Sequence, residues 1–208
     1  MKRLFVLLAV PFLGFACSPS PDSNTNSANT DSTMNHDKMN HSEMNHAEMK
    51  SAPNAASAPY DLQFIDTMIA HHQGAVEMAK TIDGKTQNAE LKKFGTQIIA
   101  DQEKEIAQMK AWREKWYAGK SSAMNMEMPG MADSMKMDMS KLSAAKDADF
   151  DRSFVGMMIP HHEGAIEMSR EALAKAEHPA IKTLSNQIIK AQQTEIKMMQ
   201  SWKTAWAK

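Results

Sequence analysis

A fifteen-residue block that occurs twice limits what this chain can fold into more than any other feature. Phe64-Ile65-Asp66-Thr67-Met68-Ile69-Ala70-His71-His72-Gln73-Gly74-Ala75-Val76-Glu77-Met78 returns ninety residues later as Phe154-Val155-Gly156-Met157-Met158-Ile159-Pro160-His161-His162-Glu163-Gly164-Ala165-Ile166-Glu167-Met168. A second block follows each copy at the same distance. Gln97-Ile98-Ile99, Gln102, Glu105-Ile106, Met109, Trp112 and Trp116 answer to Gln187-Ile188-Ile189, Gln192, Glu195-Ile196, Met199, Trp202 and Trp206. A register kept without a gap over both blocks marks a duplicated unit. Each unit carries a histidine pair in its first element and a Gln/Glu pair in its second.

At roughly 100° per residue, a helix from Asp61 to about Ile82 gathers Phe64, Ile65, Met68, His71, His72, Ala75, Met78, Ala79 and Ile82 on one face. The histidines lie inside the apolar stripe, one on each side of its centre line. A second helix, about Asn88 to Tyr117, buries Leu91, Phe94, Ile98, Ile106, Met109, Trp112 and Trp116, with Gln102 and Glu105 on the same face. A buried carboxylate is costly unless paired, so Glu105 is expected to meet a histidine of the preceding helix. The third helix, Asp147 to about Lys175, contains Pro160, which removes a backbone hydrogen bond and is expected to kink it. The fourth starts near Pro179, a favoured first-turn position. Four amphipathic helices in two hairpins predict an all-α four-helix bundle over residues 60–207.

The N-terminus reads as an export signal over residues 1–16: Lys2-Arg3, an apolar run from Leu4 to Phe15, and a small-residue cleavage site. The run is too short to span a bilayer. Cys17, the only cysteine, follows directly and resembles the lipidated residue of a bacterial lipoprotein; ordinary secretion is the alternative. Either reading sends the protein out of the cytoplasm, to the periplasm or to a lipid anchor on the envelope. A single cysteine allows no internal disulfide.

Residues 17–59 lack an apolar period and read as a disordered tether. The tether holds a five-residue repeat, Met34-Asn35-His36, Met39-Asn40-His41 and Met44-Asn45-His46, then Met49. Between the two units, residues 119–140 carry Met124, Met126, Met128, Met131, Met135, Met137 and Met139. Met-x-Met with polar residues between, followed by Pro-Gly, fits neither helix face nor strand core, so a flexible loop is expected. The chain has twenty methionines, many in tracts with almost no other apolar residue. Packing is therefore not expected to account for them. Thioether sulfur and imidazole nitrogen together suit soft ions, with Cu(I) and Ag(I) in front. The bland alternative is an oxidation sink.

Two readings of the core compete. His71, His72, Glu105, His161, His162 and Glu195 would form either a metal site between facing helices or a hydrogen-bond network that specifies packing. Adjacent histidines diverge by roughly 100°, so one ring is expected to face the partner helix and the other to cross the bundle. Met68, Met78, Met158 and Met168 flank the pairs at helical spacing and could act as secondary ligands, although core packing is their usual role. The Glu-x-x-His spacing of a dinuclear iron bundle is absent. No nucleophile or phosphate loop accompanies the core. Net charge is −1 with dispersed Lys and Arg, which argues against nucleic acid.

The doubled Met-Ile-x-His-His-x-Gly-Ala-x-Glu-Met block and the later Gln-x-x-Glu-Ile-x-x-Met-x-x-Trp resemble the family known as domain of unknown function 305, over about Tyr60 to Trp206. The resemblance implies a ferritin-like helical fold in an exported bacterial protein, and matches His71, His72, His161 and His162 to the family's histidine pairs. Members with Met/His-rich segments are associated with periplasmic copper binding and tolerance. The expectation is a non-enzymatic copper or silver sequestering protein or chaperone. Cu(I) or Ag(I) would sit on the tracts, Cu(II) at the core, with handover to a copper carrier or efflux system. A ferritin-like oxidase and a metal-free interaction bundle are the alternatives. Membrane contact is expected only through an N-terminal lipid.

Overall fold

The computed structural model describes residues 49–206. The expected signal segment, Cys17 and the repeat Met34, His36, Met39, His41, Met44 and His46 lie outside the described residues. Within them the chain is helical, with no strand. Four long helices form the bundle: α1 (Tyr60–Lys80), α2 (Ala89–Tyr117), α5 (Asp147–Lys175) and α6 (Pro179–Ala205). Two short ones, α3 (Met131–Ser134) and α4 (Met139–Ala144), fall between the halves. Asn88 caps α2 by accepting from the backbone N–H of Glu90 and Leu91, which satisfies two of the donors that a helix start leaves open. Pro179 occupies the first turn of α6, and α5 runs through Pro160 as one helix.

The sequence halves are structural halves. α1 packs on α2, α5 packs on α6, and α1 against α5 joins the hairpins. Every residue expected on the inner face of α1, from Phe64 to Ile82, is buried. Phe64, Phe150 and Phe154 are fully enclosed, each contributing about 2–3 kcal/mol of burial. Trp112 and Trp116 are only half-buried and stack on one another at 5.3 Å, as do Trp202 and Trp206 at 5.5 Å.

Two expectations are corrected. Residues 119–140 are not a flexible loop but a folded strap across α1 and α5. Met131 is 0%, Met135 1%, and Met128 and Met137 5% exposed. The Met-x-Met alternation has a packing meaning: Met135 and Met137 point in, Lys136 and Asp138 out. The strap is fixed by polar side chains on the second face of α1, which an apolar stripe does not reveal. Asp66 accepts from Arg113 Nε at 2.7 Å and from the Ala123 N–H at 2.8 Å. Thr67 Oγ1 accepts from the Asn125 N–H at 2.9 Å, and Asn125 Nδ2 donates to Gln63 Oε1 at 2.8 Å.

The second correction concerns residues 49–59, expected as the end of the tether. They lie on the bundle, with a 3-10 turn at Ala55–Ser57 and Ala55 buried. The Ala52 N–H donates to the Met124 carbonyl at 2.8 Å, and the Met126 N–H to Ser51 Oγ at 2.9 Å. Hydrogen bonds to the strap, not an apolar period, hold this segment. Periodicity could not have found it.

Candidate metal centre

His71 and His72 project from the middle of α1, His161 and His162 from the equivalent turn of α5, and all four are fully buried. Each pair splits as adjacent helical positions must. His72 Nε2 lies 2.6 Å from Glu105 Oε2, within the first hairpin. His162 Nε2 lies 2.6 Å from Glu195 Oε2, within the second. The other two rings cross the bundle and meet: the His71 and His161 centroids are 3.8 Å apart with the rings inclined at 36°. Burial, followed by the neighbouring His161, holds the His71 imidazole well below its ordinary value, because a cation in that interior loses its hydration. His71 is therefore neutral, with a lone pair on one ring nitrogen.

The strap reaches this pair at Gly74 and Gly164, the glycines of the two His-His-x-Gly motifs. A Cβ placed on Gly74 would lie 3.1 Å from Met137 Cε, 3.2 Å from Met135 Cε and 3.4 Å from His161 Nε2. Two thioether arms and one ring nitrogen therefore gather around one point beside the paired rings. A Cβ on Gly164 would lie 2.4 Å from Ser134 Cβ and 2.6 Å from the Gly130 carbonyl oxygen. Helical glycine costs about 1 kcal/mol relative to alanine; here it makes room for the strap. Ser134, seated there, has its Oγ 3.0 Å from His71 Nε2 and 2.9 Å from the Met131 carbonyl.

Around the paired rings stand two methionine side chains and the Ser134 hydroxyl. Among the described residues no three His, Cys, Asp or Glu side chains form a metal-holding group. The Nδ1 atoms of His72 and His162 are buried with no hydrogen-bond partner among the described residues. Met68, Met78, Met158 and Met168 are fully enclosed in the apolar core. Met124, Met126 and Met139 are half-buried along the strap. The structure thus brings Met135 and Met137 to the histidines.

Sequence reasoning missed Ser134, Gly74, Gly164 and Asp61. A glycine kept in both copies at a helix-interior position was a readable signal of close approach. Asp61 gave none. It is 2% exposed and accepts from the Glu177 and His178 N–H groups at 2.9 Å and from His178 Nδ1 at 2.6 Å. It ties the start of α1 to the start of α6.

Comparison with known proteins agrees with this architecture. The structure of CopM in its Cu(II)-bound form is 40% identical, covers 70% of this chain and 97% of its own, and superposes with a TM-score of 0.62. CopM co-crystallised with silver is 37% identical over 70% and 96% of the two chains, at 0.60. A DUF305 protein of Streptomyces coelicolor, described as secreted, is 25% identical over 74% and 95%, at 0.66. Among curated sequences, the uncharacterized protein L153 of Acanthamoeba polyphaga mimivirus is 43% identical over 51 residues. That match spans 24% of this chain and about a third, 34%, of the viral protein. The family model described as "Domain of unknown function (DUF305)" matches residues 17–113 and again residues 61–203, so this chain belongs to the DUF305 family.

Proposed function

We propose that this protein binds Cu(I) or Ag(I) in the cell envelope, sequestering or carrying the ion, and that its folded part holds a soft-metal centre at Met135, Met137 and His161. The observation that carries this reading is the convergence of the Met135 and Met137 methyls and His161 Nε2 around one point above Gly74. Thioether and neutral imidazole are soft or borderline donors that stay unprotonated and favour Cu(I) and Ag(I) over hard cations. CopM, solved with Cu(I), Cu(II) and silver, supports the same class of cargo. The Met-Asn-His repeat, Met34 to His46, acts as a further set of donors upstream, and handover to a carrier or efflux system follows release. Export rests on the signal segment and on the relative described as secreted. Anchoring rests on Cys17.

For His72 and His162 the packing reading is favoured. Each is held at 2.6 Å by a glutamate of its own hairpin, the arrangement of a network that fixes helix pairing.

The test is Cu(I) competition with a chromogenic chelator. Deleting 119–140 would remove core packing along with the sulfurs, so Met135→Leu and Met137→Leu are the sharper variants, because leucine nearly conserves volume. Together they should weaken the tightest site by at least about tenfold, roughly 1.4 kcal/mol, with the bundle still folded. Unchanged affinity in the double variant, measured in protein also lacking residues 32–50, would sink the centre.

A further inference from the structure

The duplicated unit provides two equivalent histidines, His71 and His161, but the strap occurs once and treats them differently. At the glycine of the first motif it brings in the methyl ends of Met135 and Met137, around the same point as His161 Nε2. At the glycine of the second it delivers Ser134, beside His71 Nε2. Building on the metal centre proposed above, we infer that Ser134 is a positioning residue that makes the pair inequivalent: His161 Nε2 is the nitrogen ligand, and His71 keeps its Nε2 proton and serves as the ring that holds His161 in place.

A serine hydroxyl has one proton and two acceptor lone pairs. Ser134 Oγ has two neighbours, the Met131 carbonyl at 2.9 Å and His71 Nε2 at 3.0 Å. The carbonyl can only accept, so both contacts are hydrogen bonds only if Ser134 donates to Met131 and His71 Nε2–H donates to Ser134. In the other tautomer Ser134 must abandon one neighbour. The hydroxyl lies against Gly164 of α5, where an added Cβ would stand 2.5 Å from it. His71 then lies against His161 at 3.8 Å and limits how that ring can turn, as groups behind a ligand commonly do.

The test is long-range proton–nitrogen NMR of the mature protein with labelled histidine and methionine methyls, titrated with Ag(I), which is diamagnetic. The expected result is His71 in the Nε2–H form before and after one equivalent, with a large shift at His161 Nε2 and at the Met135 and Met137 methyls. Ser134→Ala should turn His71 into a tautomer mixture and weaken Ag(I) by about tenfold. Finding His71 in the Nδ1–H form in the unsubstituted protein overturns the inference without any variant. Methyl shifts accompanied by equal shifts of both rings overturn it too, but leave the metal centre standing. If neither the rings nor these methyls move, the centre falls and the inference with it.

Discussion

Gly164 and Ser134 are so close that a Cβ on the glycine would lie 2.4 Å from the serine Cβ and 2.6 Å from the Gly130 carbonyl oxygen. At Gly74 the neighbours of a new Cβ are the ends of two flexible side chains, at 3.1 and 3.2 Å. The two motif glycines therefore predict opposite behaviour. Gly164→Ala has to move backbone, and should cost about 2–3 kcal/mol and speed proteolysis within 119–140. Gly74→Ala gains about 1 kcal/mol of helix propensity and displaces only methyls, so urea unfolding should change little while Cu(I) affinity falls. Equal unfolding costs for both would contradict this assignment of the strap.

His72 and Glu105 should behave as a coupled pair. Glu105→Ala strands a fully buried imidazole and should cost about 1–3 kcal/mol, and Glu195→Ala the same by repeat symmetry. His72→Leu with Glu105→Leu should cost less than the two single changes summed. An additive double-mutant cycle would show that the 2.6 Å contact contributes no coupling.

The neutral state of His71 sets a pH dependence. Its folded pKa lies below the ordinary 6.5, so below that pH the unfolded chain binds a proton that the fold refuses. Stability from this group is complete above about pH 6.5 and declines as pH falls toward the folded value, by at most about 1.4 kcal/mol per unit. Chemical denaturation of the wild type and of His71→Leu across this range should show the shallower slope in the variant. Parallel slopes would mean that His71 is protonated in the fold.

Asp61 should matter as much as any apolar core residue. Asp61→Ala removes the acceptor for two backbone N–H groups and for His178 Nδ1, at about 2–3 kcal/mol. Hydrogen exchange should quicken at the start of α6 before it does elsewhere. A variant with unchanged melting temperature would show that the α1–α6 tie is dispensable.

The bundle was legible because its determinants are periodic. Phe64, Met68, His71, Ala75 and Met78 recur at helical spacing, and the second copy repeats them. That Glu105 meets a histidine of the preceding helix was legible because a carboxylate on an apolar face needs a partner; which of the two it meets, His72, was not. The strap was not. Asp66 and Thr67 hold it by side-chain to backbone bonds across 57 and 58 residues of sequence, and contacts of that kind have no period. Ser134 escaped for the same reason. Its importance comes from the two groups that share one hydroxyl, and only the folded chain brings those together.

Across the two hairpins, Trp116 of α2 stacks on His178 in the α5–α6 connection at 3.9 Å, while Trp202 of α6 meets Phe94 of α2 edge-on at 5.2 Å. Each half thus finishes the surface of the other. A lone copy of the unit would keep its own stacked indoles but lose these contacts across the halves, and could regain them only from a second copy. Joining the copies in one polypeptide replaces that bimolecular encounter with an intramolecular one. Assembly of the bundle is then independent of how dilute the protein becomes.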